Sequence, residues 1–108
     1  MAKITVPLAD GVYISDNLPS VGSPNDTFYH QVSLEVDGSP TTGTIEIKAK
    51  APGSSAFESI PDGVVDLSSP HTILFQFNVE SYEFTLSGSD VVDSEVYVSD
   101  QEFKGVSI

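Results

Sequence analysis

Residues 28–36 read Phe28-Tyr29-His30-Gln31-Val32-Ser33-Leu34-Glu35-Val36. Phe28, His30, Val32, Leu34 and Val36 alternate with Tyr29, Gln31, Ser33 and Glu35. A period of two places one set on one face of a strand and the other set on the opposite face. The same pattern recurs on both sides in sequence. Ile45, Ile47 and Ala49 alternate with Glu46, Lys48 and Lys50. Tyr82, Phe84 and Leu86 alternate with Glu83, Thr85 and Ser87, and Val96 and Val98 with Glu95, Tyr97 and Ser99. In the 72–79 run Ile73, Phe75, Phe77 and Val79 share a face, but Leu74 adds an apolar residue to the other. That double-sided pattern predicts the most buried strand of the set, or one covered on its second face by a neighbour. No window carries an i, i+3, i+4 apolar stripe between caps, so helix is not expected.

Turn residues divide these runs. Asp37-Gly38-Ser39-Pro40 separates 28–36 from 42–50, and a hairpin with a longer loop is expected there. Ala51-Pro52-Gly53-Ser54-Ser55 ends the second run, since Pro lacks a donor and Gly tolerates positive φ. Pro61-Asp62-Gly63 and Ser68-Ser69-Pro70 bracket a short strand, Val64-Val65-Asp66-Leu67. Phe57 and Ile60 are apolar residues in the preceding loop and are expected to fold back on the core. A break is expected near Val79-Glu80-Ser81, and Ser87-Gly88-Ser89-Asp90 closes the next strand. About eight short strands at this spacing predict an all-β fold, a small antiparallel β-sandwich over 28–108. The expected core is Val32, Leu34, Ile45, Ile47, Phe75, Phe77, Phe84, Leu86, Val96 and Val98. Residues 1–27 read as an irregular N-terminal arm, with β-like pieces at 3–6 and 12–14 before a stretch rich in Pro, Ser and Asn.

The chain has 108 residues, enough for one domain and one core. Hydrophobic residues make up 39%, which places it among folding rather than disordered sequences. Sixteen Asp and Glu face four Lys and Arg together, for a net charge of −12. Nucleic acid and anionic membrane surfaces are therefore not expected partners, because both draw affinity from Lys and Arg. The acids are spread along the chain and read as a solvated surface, open to a basic partner. With no Cys there is no disulfide and no thiolate site. No apolar run reaches the length of a membrane span, and the first residues lack the apolar stretch of a secretory leader.

Catalytic chemistry is sparse. His30 lies on the apolar face of its run, the usual setting of a hydrogen-bonded core histidine. His71 follows Pro70 at a strand start. No G-x-S-x-G, H-E-x-x-H or Walker pattern occurs. No catalytic residue and no cofactor are expected, and the chain reads as a non-enzyme. Asp90, Asp93 and Glu95 are candidate calcium ligands, as are Asp100 and Glu102, with a solvated acidic rim as the plain alternative. Lys48, Lys50, Glu83 and Glu95 are candidate edge-protecting charges; alternatively an edge is left open to a neighbouring chain. Tyr13, Tyr29 and Tyr97 lie on or near polar faces, and with Leu18 and Val21 of the arm they form the candidate partner interface.

The run Thr41-Thr42-Gly43-Thr44-Ile45-Glu46-Ile47-Lys48-Ala49-Lys50-Ala51-Pro52-Gly53 continues through Phe57-Glu58-Ser59-Ile60-Pro61-Asp62-Gly63 to Asp66-Leu67. Together with Ser81-Tyr82-Glu83-Phe84-Thr85-Leu86-Ser87-Gly88, it resembles small virion proteins of tailed bacteriophages. The resemblance covers residues 41–88. It implies a β-sandwich on the particle surface or in the tail, made in the host cytoplasm. The leading expectation is a head decoration or cement protein bound to the major capsid lattice. The alternatives are a tail or fibre-associated β-domain and a carbohydrate-binding or adhesion module. A homo-oligomer is expected, a trimer at a three-fold position, because avidity multiplies a small contact. The arm is the candidate for reaching a neighbour or the capsid. The charge balance predicts no retention on duplex DNA at low ionic strength, where non-specific binding is strongest. Retention there would reveal a basic surface that the composition conceals.

Overall fold

A computed structural model describes residues 2–18, 28–76 and 78–104. Its elements are eight strands: β1 (Ala2–Pro7), β2 (Gly11–Ile14), β3 (Phe28–Val36), β4 (Thr44–Lys50), β5 (Glu58–Asp66), β6 (Ile73–Gln76), β7 (Ser81–Ser87) and β8 (Glu95–Lys104). Two four-stranded sheets result, ordered β1-β8-β3-β6 and β2-β7-β4-β5. Every pairing is antiparallel. The all-β sandwich expected from the alternation is the fold observed.

The order has a simple origin. β1 pairs with β8, β2 with β7, β3 with β6 and β4 with β5. The chain is thus one long antiparallel ribbon, folded back between β4 and β5. Rolling that ribbon brings β8 against β3 and β7 against β4. Two sheets built this way make an eight-stranded jelly roll. The longest seam is β3–β8, from Phe28 opposite Lys104 to Val36 opposite Val96.

The inner faces follow the sequence period. Ile45, Ile47 and Ala49 of β4, Tyr82, Phe84 and Leu86 of β7, and Val96 and Val98 of β8 are buried. Val32, Ile73 and Phe75 join them from β3 and β6. Leu34 is half-buried and packs on this cluster, and Phe77 lies outside the described residues. Val6 and Leu8, which the composition of the arm did not single out, are also fully enclosed.

Four expectations are corrected. First, the boundary at residue 28 cuts through the sandwich. Ala2–Pro7 pairs along β8 and Gly11–Ile14 along β7, so the first half of the expected arm is sheet; residues 19–27 lie outside the described residues. Second, residues 28–36 and 44–50 form no hairpin. β3 and β4 lie in different sheets, because the 37–43 loop crosses from one layer to the other. Third, among the described residues the 73–76 strand is an edge, hydrogen-bonded to β3 alone, and Leu74 is 72% exposed rather than covered. Fourth, Pro61-Asp62-Gly63 is a bulge within β5, not a turn before it. Opposite Glu46 and Lys48 the β5 partner jumps from Val64 to Ser59, which reverses the inward face. Ile60 points in before the bulge and Val65 after it, leaving Val64 outside. Ile60 thus folds onto the core as expected, while Phe57 is half-buried beneath the Lys50 ammonium, 5.5 Å from its ring.

Gly63 has no room for a side chain, since a Cβ there would stand 2.6 Å from the Ile47 carbonyl oxygen. Gly63→Ala should therefore lower the urea midpoint even though it adds only a methyl group. Phe84→Ala should cost about 3–5 kcal/mol by emptying the centre of the core. A Phe84→Ala chain that melts like wild type would contradict the assigned strand faces.

Candidate functional site

Polar chemistry collects in two places: inside the sandwich, and on the outer faces and edges. The interior cluster joins four strands. His30 (β3) is fully enclosed and stacks on Phe75 (β6), ring centroids 5.3 Å apart. Its Nδ1 lies 2.8 Å from Asp100 Oδ1 (β8). The Tyr82 hydroxyl (β7) donates to the same oxygen at 3.0 Å and stands 3.4 Å from Nδ1. On the far side of the ring, Nε2 makes no hydrogen bond, and Glu102 Oε2 stands 3.5 Å away. These residues meet because they occupy inward positions of neighbouring strands. His30 is directly opposite Phe75 on one side and Glu102 on the other.

Burial pushes the Tyr82 phenol strongly upward, with the Asp100 and Glu102 carboxylates adding to the effect, so it stays a neutral donor. Burial also raises Glu102 above the ordinary carboxylate value, with Asp100 pushing the same way and His30 opposing. His30, Tyr82 and Asp100 are all buried, and within the cluster the Glu102 carboxylate is partly exposed. The chemistry of the cluster is that of a polar tie between layers.

The candidate ligands are not gathered into one set. Asp90 clamps a loop, accepting from Thr41 N–H at 2.9 Å, Thr41 Oγ1 at 2.6 Å and Thr42 N–H at 3.3 Å. Those bonds hold its carboxyl below the usual range. Asp93 is exposed in the following loop, and Glu95 opens β8 opposite Pro7. Asp100 and Glu102 flank His30 instead. Among the described residues no three His, Asp or Glu side chains converge as metal ligands.

The candidate interface residues also separate. Tyr13 is half-buried against the core and donates to the Ala9 carbonyl at 3.0 Å. Leu18 packs on the core too, its N–H bonded to Glu80 O at 2.7 Å. Val21 lies outside the described residues. Tyr97 is half-buried on the outer face beneath Lys3, whose Nζ is 5.0 Å from the ring centroid. Asp37 and Glu95 nearby raise its phenol. Of the four within the described residues, Tyr29 alone stands well exposed, at 47%.

Other exposed apolar residues escaped the sequence reading. Val12 and Ile14 project from edge strand β2, Val64 from edge strand β5 and Leu74 from edge strand β6. Alternation marks them as strand residues, but only the sheet order makes them edge residues. A groove of about 390 Å³ runs between the β1 and β2 edges, lined by Lys3, Ile4, Thr5, Ile14, Ser15, Asp16 and Leu18. Neither a protein-family model nor a curated protein matches the sequence.

Asp100→Ala should destabilise more than Tyr82→Phe. It strands two buried partners, each worth about 1–3 kcal/mol when left unsatisfied, whereas Tyr82→Phe removes one donor and leaves the imidazole paired. Glu102 supplies a pH signature. Its folded value is raised, so the folded chain binds the proton more tightly than the unfolded chain. Its stabilising contribution is present at low pH and is lost as pH rises from 4.5 through the folded value. The melting temperature of Glu102→Gln relative to wild type should accordingly climb across that range. A difference that stays flat with pH would contradict this.

Proposed function

We propose that the chain is a structural protein of a tailed-bacteriophage virion, bound to the outside of the capsid lattice as a decoration or cement protein. The observation that carries this reading is the distribution of side-chain chemistry. Among the described residues the titratable cluster of His30, Tyr82 and Asp100 is buried, while exposed β-branched and leucine side chains stand on sheet edges. Such a surface is suited to binding a polypeptide. The sequence that resembles virion proteins builds β4, β5, β6 and β7, half of the strands of the rolled ribbon. Jelly rolls serve viral capsid and lectin domains, which supports the reading by analogy of fold alone. A charge of −12 suits a position away from packaged DNA.

The lattice contact is the β2 edge. Val12 and Ile14 project there between Asp10 and Asp16, with the groove beside Ile14. An extended capsid segment with apolar residues and basic flanks would complement it. A carbohydrate-binding module is the second reading, favoured by Tyr29, Gln31, Gln76 and Gln101. These lie together on the outer face of the first sheet, as an aromatic ring among three amides.

Purified protein mixed with undecorated capsids should co-sediment to saturation and raise the capsid melting temperature. Ile14→Lys should bind with roughly tenfold or lower affinity while keeping its fold, since a lost apolar contact on a strand surface leaves the core intact. Binding to isolated tails instead of capsids supports the tail alternative. Binding to neither, with a specific signal on a glycan array, overturns the virion reading.

A further inference from the structure

The two sheets leave four edges: β1 and β6 on one, β2 and β5 on the other. An unpaired edge offers its backbone N–H and C=O groups to any passing strand, and proteins blunt such edges with charge, proline, bulges or short length. Three of these four are blunted. β1 carries Lys3 and ends at Pro7. β2 is only four residues long and is bracketed by Asp10 and Asp16. β5 carries Glu58, Pro61, Asp62 and Asp66 and is broken by the Gly63 bulge.

β6 is as short as β2, but it carries no charge, no proline and no bulge. Its sequence is Ile73-Leu74-Phe75-Gln76, and no Asp, Glu or Lys occurs between Asp66 and Glu80. Among the described residues the surface beside it is also uncharged. Leu74 is opposite Gln31 and Gln76 opposite Tyr29 on β3, with Gln101 of β8 opposite Gln31 in the next row. In a chain of charge −12, this is an edge and a face with no charge to repel a like molecule. A basic partner would gain nothing here and would gain much at β2 or β5.

We infer that the β6 edge is a self-association site, at which a second copy of this chain adds its own β6 in antiparallel register. Two four-stranded sheets then join into one of eight strands. Residues directly opposite in an antiparallel pair share a face, so the exposed Leu74 must meet an outward residue of the partner copy. A two-fold axis at Leu74 satisfies this, setting Leu74 against Leu74, Thr72 against Gln76 and Ile73 against Phe75. Pairing of like edges is isologous and closes at two copies, giving a dimer rather than a three-fold ring. A stable interface takes about 800 Å² from each partner, more than a four-residue edge supplies, so the dimer should be concentration-dependent. Salt should strengthen it by screening the net repulsion between the copies, whereas an acid–base contact would weaken. The inference rests on the edges alone and is independent of the virion reading.

The test is sedimentation velocity on the full chain over roughly a hundredfold range of concentration, at low and high salt. A monomer–dimer equilibrium is expected, shifted toward dimer by salt, with amide exchange at residues 73–76 slowing as dimer forms. Leu74→Lys places two like charges on the axis and should weaken association roughly tenfold or more, as like charges directly opposite in a sheet repel. Val64→Lys, an equally outward change on β5, should leave it intact. If Leu74→Lys loses its circular-dichroism signature, Gln76→Lys takes its place. A chain that stays monomeric throughout, a trimer, or a dimer insensitive to lysine at both 74 and 76 would overturn the proposal.

Discussion

Asp100 Oδ1 accepts hydrogen bonds from two directions, and the arrangement of the molecule depends on that atom. His30 reaches it along the first sheet and Tyr82 reaches it from the second. Elsewhere the two sheets meet through Val, Ile, Leu and Phe, whose contacts have no preferred direction. Apolar layers alone can slide or rotate against each other at modest cost. A buried carboxylate cannot, because displacement would leave it and its donors unpaired in a low-dielectric interior. The cluster therefore fixes the setting of one layer upon the other, tying the central strands β3 and β8 of the first sheet to β7 of the second.

With the central strands fixed, β1, β2, β5 and β6 become edges, and the distribution of charge acquires meaning. Acidic residues, proline and a bulge guard three of them. The uncharged fourth carries Leu74, the most exposed large apolar side chain among the described residues. In a strongly acidic chain, where charge is missing is as informative as where it lies, since repulsion governs which surfaces of two copies can meet. By charge alone, a basic surface is favoured at the acidic edges and a like-charged one at the uncharged edge.

Much of this was legible in the sequence. The alternation in 28–36, 45–50, 82–87 and 95–99 specifies strand type and inward face from nearest neighbours, because the period of two belongs to the backbone itself. His30 could be read as a core histidine from its place between Phe28 and Val32. The reading failed where local pattern is silent about neighbours. Leu74 resembled a residue covered on a second face, yet it stands on an edge. Residues 37–40 resembled a hairpin turn, yet they cross between layers. Pro61-Asp62-Gly63 resembled a turn, yet β4 continues opposite both arms and makes it a bulge.

The candidate site divides in the same way. By itself the sequence determined an all-β chain, one core, a strongly acidic surface and the absence of thiol chemistry, all properties of composition and short-range period. Only the tertiary structure decided that Asp100 binds a histidine seventy residues away, that Asp90 clamps the Thr41 loop, and which strand edges remain unpaired. The physical reason is that alternation specifies which face a side chain occupies and nothing about which strand lies beside it. Neighbours are chosen when the ribbon rolls, by the joint requirement that the apolar faces meet and every buried polar group finds its partner.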